Sequence, residues 1–587
     1  MKAFRQWLQT DNRAGWFIFL LFTFIVFTLS LIFDHFAFRE WNMQTTVLER
    51  LSMIVSKLAA AMLGGSIVFF LRDKRWMIFF ASFASAWMIA NLLYMRNNHR
   101  LIDAEAFNMS SNLKGYSLSV LIYFEPAIDI IFVVGWLLFC LAFLFTNRSP
   151  RNWKIGLLIL VISAAMRLGA EGMYIADRHQ QGEQAAFRLW PFMREQREPV
   201  YGIHFPATEA HTSILYTPLY VVPDIYLMIT GSQPSRPLTE QDKQYMQRLD
   251  QGADSATLDG PFIIVLLESL ENWVVTPQIM PNLYRLAHND HALYADKIHT
   301  QIIGAPSADG QMIINTGLLP ISAGGTCLHF PKNTYPGIMK FATDTTFCLL
   351  PHSEKVWNQE AMSPAYGYDT TIAYCDIDTL LFAKLNQLVD SGARYIQCIT
   401  QSTHSPFLNE KYSSLEVPDG MPWVMHNYIR GFNALDDGLA LFIRKIETDS
   451  ALQNYTIVFT GDHRILHYEI REKMQHYADE YAKSGNPQMA WIGDLHPSDN
   501  RLPLVIYSPK ITGNPHYTED AYQMDIYPTC LSLLGAGSYH WQGFGINLLA
   551  QPDSCSAPEL IQKRPIREDE AYKLSDRLIR NNYFLNR

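Results

Sequence analysis

The sequence predicts a two-part chain: a helical membrane domain of about five spans, then an α/β domain whose mostly parallel sheet is sandwiched by helices. Three observations predict it. Long apolar runs crowd the first third of the 587 residues. From residue 261 onward, short continuous apolar runs alternate with amphipathic stretches, as strands buried on both faces alternate with covering helices. Several of those short runs end in Glu, Asp or His, where open α/β sheets place their sites.

Five segments approach membrane-spanning length: 14–33, 53–71, 76–94, 127–145 and 155–174. The first, "AGWFIFLLFTFIVFTLSLIF", has no charge and no small-residue cleavage site after it, which points to an anchor and not a removed signal peptide. Arg167 and Glu171 interrupt the fifth, so a buried core helix stays open there. Loop charge gives the orientation. Lys2, Arg5 and Arg13, then Arg72, Lys74 and Arg75, then Arg148, Arg151 and Lys154 form three basic clusters that alternate with less basic loops. All three belong in the cytoplasm, which places the chain after about residue 175 in the periplasm or the exterior. The expected domains are 1–175 in the membrane, 176–260 as juxtamembrane helices with a linker, and 261–587 as the soluble domain. Six of the seven cysteines fall in the outer part, where disulfides are permitted. Cys398 lies in an apparent buried strand and reads equally well as a free thiol. The net charge of −9 gives no case for nucleic-acid binding.

Within the soluble part, "PFIIVLLE", "YIQCIT", "YTIVFTGD" and "LPLVIYS" read as strands. "MPNLYRLAHN", "YIRGFNALDDGLALFIRKIETD" and "DIYPTCLSLLGAG" read as helices, the last with a glycine stop. At the strand ends stand Glu268, Asp462-His463 and His404. A lone acid after a strand is commonly a solvated end. Asp-His directly after "VFTG" is more specific, because one turn can aim both side chains at one ion. One His, carboxylates and a hydroxyl suit Mn²⁺ or Zn²⁺ better than Ca²⁺. In "IIGAPSADGQM", Ser307 opens an apparent helix. It is either a helix N-cap or a nucleophile whose pKa a metal would lower. In the second case the helix N-terminus would also favour a phosphoryl group's negative charge. Asp309 reads as support for the helix start.

The ordered pieces "VLLESLENW", "MPNLYRL", "SADGQMIINTGLLP", "EKVWNQEAMSPAYGYD", "TQSTHSPF", "VFTGDH" and "DIYPTCLSLLGA" resemble the lipoteichoic acid synthase group of membrane phosphoglycerol transferases, within the alkaline phosphatase/sulfatase superfamily. The resemblance covers about residues 261–550 and the membrane layout. It implies Glu268, Asp462, His463 and Ser307 as metal ligands, Ser307 as the nucleophile, and His404 and Trp357 as substrate contacts. It also implies a divalent metal (Mn²⁺, with Zn²⁺ or Mg²⁺ as alternatives), a phospholipid donor, and a glycan or glycolipid acceptor at a bacterial cytoplasmic membrane. Two positions depart from the pattern. An arginine that would hold phosphate is replaced by Gln359, and Arg464-Ile465 stands where Gly-Gly is common. Arg464 is the candidate for the missing charge. The motif that converts Cys or Ser to formylglycine is absent around Ser307, which argues against sulfate-ester hydrolysis. A hydrolase using the same site, or a silent scaffold for envelope polysaccharide assembly, remains an alternative to head-group transfer.

Overall fold

The computed structural model describes residues 11–39, 46–71, 73, 75–98, 101–102, 106, 122–143, 152–180, 214, 237–322, 324–373, 377–485, 489–550 and 564–586. The chain forms two compact units, one of residues 1–108 with 123–234 and one of 109–122 with 235–587. The juxtamembrane helices expected in 176–260 fall largely outside the described residues, apart from the end of one membrane helix and a helix at 240–249.

Among the described residues, the first unit holds five apolar helices: α1 Asp11–Ala37, α2 Val47–Ser66, α3 Trp76–Asn98, α4 Pro126–Phe143 and α5 Trp153–Gln180. Four of them are long and apolar enough to cross a membrane; α4 is a shorter apolar helix. Arg167 and Glu171, which weakened the fifth segment in sequence, pair with each other one turn apart at 2.8 Å. The same device recurs. Lys57 meets Asp34 at 2.5 Å, Arg96 meets Asp129 at 3.0 Å and Arg178 meets Glu49 at 3.1 Å. Charge inside an apolar bundle persists where it is paired, and a hydropathy reading cannot see the pairing.

The second unit begins its described part with the linker helix α6 Glu240–Leu249, started by a reciprocal capping box between Thr239 and Asp242. There follow β1 Phe262–Leu267, α7 Pro281–Ala287, β2 Ala292–His299, α8 Pro306–Thr316, β3 Thr346–Leu350, α9 Gln359–Tyr366, β4 Thr370–Ala373, α10 Asp378–Asp390, β5 Tyr395–Ile399, α11 Trp423–Thr448, β6 Thr456–Gly461, α12 Tyr468–Ser484, β7 Leu502–Tyr507, the two-residue strands β8 His516–Tyr517 and β9 Ala521–Tyr522, α13 Ile526–Leu533 and α14 Glu568–Arg580. The sheet runs β4-β3-β5-β1-β6-β7-β2-β8, and β9 also pairs with β2. β7 is antiparallel to both neighbours; the other pairings are parallel. The four strands read from sequence are all present and all buried along their length. β1 sits in the middle, with Phe262 in register with Tyr395 on one side and Thr456 on the other. The carboxyl ends of β1, β5 and β6 therefore open side by side.

Cys327, Cys348, Cys398 and Cys530 are free and buried. Cys375 and Cys555 lie outside the described residues.

Candidate active site

Glu268 is the first residue past β1 and is 3% exposed. Two threonines after β5 fix its backbone: its N–H donates to Thr400 Oγ1 at 2.9 Å, and Thr403 Oγ1 donates to its carbonyl at 2.6 Å. The next residue, Ser269, adopts φ 60°, costly for a side chain other than glycine. That turn lets the Ser269 N–H donate to Asp462 Oδ1 at 2.9 Å and its hydroxyl donate to Glu268 Oε1 at 2.8 Å. One strained serine thus holds both carboxylates.

Asp462 and His463 follow β6, as the sequence indicated. The His463 N–H donates to Asp462 Oδ1 at 2.8 Å, and its ring Nδ1 lies 2.8 Å from the Arg464 carbonyl. A carbonyl only accepts, so Nδ1 carries the proton and Nε2 is left for the centre of the site. Nε2 is 3.4 Å from Glu268 Oε1 and 3.7 Å from Asp462 Oδ2.

Ser307 is the second residue of α8, behind Pro306; the cap position belongs to Ala305. Ser307 is therefore not the helix cap. The capping work falls to Asp309, whose Oδ2 accepts from the backbone N–H of Ile303, Gly304 and Ala305 at 2.9, 2.9 and 3.0 Å. The Ser307 hydroxyl lies 3.3 Å from Glu268 Oε2 and 3.4 Å from His463 Nε2. Its place in the first turn also sets it by backbone N–H groups that have no partner within the helix.

Charge in the cluster is strongly biased. Burial pushes Glu268 up, but the contact with His463, the charges of His463 and His404 and the Ser269 hydroxyl outweigh it and hold the carboxyl well below its usual range. Burial and the neighbouring Glu268 charge push Asp462 up to about 7. Burial disfavours the His463 imidazolium, yet the two carboxylates raise it to about 10. Two buried carboxylates this close need a positive charge between them. Ligand atoms of Glu268, Asp462 and His463 lie within 4.8 Å of one another, and buried Asp462 Oδ2 has no hydrogen-bond partner. Unpaired carboxylate oxygen, imidazole nitrogen and hydroxyl form a donor set that fits Mn²⁺ or Zn²⁺.

His404 is close enough for its charge to lower the Glu268 pKa, and its Nδ1 lies 2.9 Å from the Ser405 carbonyl. Trp357 sits half-buried in a short turn at φ 50°, beside Asn358 at φ 54°. Gln359 is turned into the core. Its Nε2 donates to Gln311 Oε1 at 2.5 Å, and its Oε1 accepts from Ser363 Oγ at 3.0 Å. Arg464 contributes the carbonyl that orients His463.

Sequence reasoning missed the residues that brace this centre. Gly310 is one; a Cβ there would lie 2.1 Å from the Asp462 carbonyl oxygen, so only glycine lets α8 lie against the turn of Asp462 and His463. Gln523 Nε2 donates to that same oxygen at 2.7 Å. Glu271 is fully buried, and its Oε1 accepts from Ile465 N and Leu466 N, both at 3.2 Å. Its Oε2 accepts from Trp273 Nε1 at 2.9 Å. A glycine inside a helix pattern was the available signal for Gly310; the other two gave none.

Membrane-length helices are followed by an α/β domain that carries the buried Glu268, Asp462 and His463 cluster. Residues 323–536 match the sulfatase family, a span that holds Trp357, His404, Asp462 and His463 but begins after Glu268 and Ser307. Residues 1–184 match the lipoteichoic acid synthase N-terminal domain. The chain is lipoteichoic acid synthase-like. It is 25% identical over 315 residues to lipoteichoic acid synthase 2 of Bacillus subtilis, covering 49% of this chain and 47% of that protein. It is 20% identical over 575 residues to lipoteichoic acid synthase of Staphylococcus saprophyticus, covering 92% of this chain and 85% of that protein. Its match to the first two curated relatives spans about half of their length. Among solved structures, the crystal structure of the lipoteichoic acid synthase LtaP from Listeria monocytogenes aligns with TM-score 0.44 and 18% identity, covering 58% of this chain and 98% of that one.

Proposed function

We propose that the protein transfers a phospholipid head group, phosphoglycerol or phosphoethanolamine, to an envelope glycan or glycolipid through a covalent intermediate on Ser307. The observation that carries this reading is the Ser307 hydroxyl, set at the start of α8 within 3.4 Å of both Glu268 and His463. The names of the relatives support it. Glu268, Asp462, His463 and Ser307 would hold a divalent cation, Mn²⁺ first, with Zn²⁺ or Mg²⁺ as alternatives. When bound, that cation supplies Lewis-acid charge that lowers the hydroxyl pKa and offsets charge on the transferring phosphoryl group.

Each residue then has a task. Ser307 loses its proton to solvent, and its oxygen attacks the donor phosphorus. The bond from phosphorus to the diacylglycerol oxygen breaks, and that oxygen takes a proton from His404 or from water. The N-terminal N–H groups of α8 favour the phosphoryl charge. In the second step an acceptor hydroxyl attacks the phosphoserine and gives its proton to solvent, and the Ser307 oxygen leaves. Trp357, Gln359, His404 and Arg464 are the candidates for holding the head group, with Gln359 acting from within the core. The N-terminus would lie in the cytoplasm and the site-bearing unit in the periplasm or exterior of a bacterial cytoplasmic membrane.

The test is intact mass of the full chain in detergent after incubation with Mn²⁺, phosphatidylglycerol and phosphatidylethanolamine, beside Ser307→Ala. An adduct on Ser307, absent from the variant, is the expected result, and its mass names the head group. Free head group without an adduct would replace the transferase with a hydrolase. Neither product would return the chain to a scaffold role.

A further inference from the structure

β5 leads into a turn with two duties at the site. Thr400 and Thr403 hold the Glu268 backbone, and His404 follows directly. Residues 401–404 lie past Ile399, where β5 ends, so the turn depends on its own bonds and on side chains for its shape. The His404 N–H closes it by donating to the Gln401 carbonyl at 2.9 Å, and the His404 carbonyl accepts from Phe407 N at 3.0 Å. His404 Nδ1 lies 2.9 Å from the Ser405 carbonyl, which only accepts. Nδ1 therefore keeps a proton, and a proton passed to substrate comes from Nε2.

The side chain that shapes this turn is Asp378, the first residue of α10 and 3% exposed. An acid at that place commonly serves the N-terminus of its own helix. This carboxylate faces the turn instead. Its Oδ1 accepts from Gln401 N at 3.0 Å, and its Oδ2 accepts from Ser402 N at 2.9 Å and from the Ser402 hydroxyl. Asn409 grips the same serine from the other side, its Nδ2 donating to the Ser402 carbonyl at 2.5 Å. Asp378 thus holds Gln401 by its N–H, and Gln401 holds His404 by its carbonyl. Hydrogen bonds to an ionised acceptor are the stronger kind, and three on one buried carboxylate fix a turn in place. Asp378 is also close to the centre. Burial raises its pKa against the pull of those three donors, and the Glu268 charge raises it further.

We propose that Asp378 is the positioning residue for His404. Through Gln401 and Ser402 it sets the imidazolium so that Nε2 gives its proton to the diacylglycerol oxygen as the bond from that oxygen to phosphorus breaks. Asp378 acts through the turn and gives up no proton itself. The proposal rests on the transfer reading above.

The experiment compares two donors on the full chain in detergent with Mn²⁺. Phosphatidylglycerol has a leaving oxygen that needs a proton; p-nitrophenyl phosphoglycerol releases p-nitrophenolate, which does not. The variants are Asp378→Asn, Ser402→Ala, His404→Ala and the double variant Asp378→Asn with His404→Ala. His404→Ala should lower the ratio of the lipid rate to the p-nitrophenyl rate by about 100-fold, the worth of a general acid. Asp378→Asn and Ser402→Ala should lower it by about tenfold. A merely structural role would lower both rates alike and leave the ratio unmoved. The double variant should lower the ratio no further than His404→Ala alone, because the two residues act as one unit. A ratio within about twofold of the parent in Asp378→Asn and Ser402→Ala, or additive losses in the double variant, overturns the proposal. If the parent turns over neither donor, the transfer reading fails, and calorimetry with sn-glycerol 3-phosphate decides whether Asp378 positions His404 as a substrate contact. Binding weaker by about tenfold in Asp378→Asn and in His404→Ala, and no weaker in the double variant, supports it. Parent-like binding in Asp378→Asn, or no binding by the parent, overturns it. If Asp378→Asn does not fold, Ser402→Ala carries the test, because it leaves the carboxylate at the start of α10.

Discussion

Replacing Gly310 with alanine sets two physical effects against each other. In an isolated helix the change should stabilise α8 by about 1 kcal/mol, because glycine is a poor helix former. Here the added Cβ would lie 2.1 Å from the Asp462 carbonyl oxygen, 2.9 Å from its carbon and 3.2 Å from its Cα. These are backbone atoms, with no flexible side chain to move aside. Since Cβ contacts essentially never fall below 3.0 Å, helix and turn must part by roughly 0.9 Å. Overpacking of this kind costs about 1–3 kcal/mol, so it offsets or exceeds the propensity gain. The functional loss should be larger. Ser307 lies one turn earlier on α8, and its hydroxyl is 3.3 Å from Glu268 and 3.4 Å from His463. The displaced carbonyl is also the one that accepts from Gln523. A misplacement of about 1 Å can cost about 100-fold in rate. The assay is the rate of adduct formation at saturating Mn²⁺, read beside a thermal melt. The expected result is a rate lower by about 100-fold with unchanged or slightly reduced melting temperature. A variant that melts higher and forms adduct at the parent rate would refute the packing argument.

Four further outcomes follow from the same geometry. Ser307→Ala should remove the adduct without loss of the fold, since Asp309 and not Ser307 supports the helix start; a mass spectrum and a melt check both. Glu271→Ala strips the acceptor from Ile465 N, Leu466 N and Trp273 Nε1. It should weaken Mn²⁺ binding by calorimetry about 10- to 100-fold, with Gln recovering part; an unchanged affinity would show that the ligand turn holds itself. Mn²⁺ at about 100 times its dissociation constant should add about 2.7 kcal/mol of stability, and Asp462→Asn should abolish that gain in a thermal shift assay. Asp436 accepts from Asn282 N and Leu283 N at 2.8 and 2.9 Å, and burial raises its pKa from 3.8 to about 6 despite those bonds. Its contribution to stability is therefore complete below about pH 4 and lost as pH rises through about 6, a change on the order of 3 kcal/mol. Melts of the parent and Asp436→Asn should accordingly converge, or reverse order, between those values; a constant offset would show that burial does not govern this carboxyl.

The parts of the site that were legible in sequence are those where one strand delivers one chemical group. The "PFIIVLLE" run gave β1 and Glu268 because a strand buried on both faces carries no polar interruption until it leaves the sheet. "YTIVFTGDH" gave β6 and the Asp462-His463 pair at its end for the same reason. Ser307 was ambiguous, although Pro306 before it was a usable signal, since proline favours the first helical position and moves the serine inside the helix. β2 was not read at all. Asp296 and Lys297 break its apolar run, and the register shifts between Ala295 and Ile298, so neither period is kept.

What stayed hidden depends on strand order, which local pattern does not encode. Glu271 looks like a solvated turn residue three positions after Glu268, yet its partners Ile465 and Leu466 lie 194 and 195 residues away. It is buried because β1 and β6 are neighbours. The cluster of Glu268, Asp462 and His463 needs that same β1–β6 pairing. Because Glu271 and the turn after β6 are set side by side by backbone hydrogen bonds between strands and not by a flexible loop, the Glu271 contacts to Ile465 and Leu466 add to a geometry the sheet already fixes.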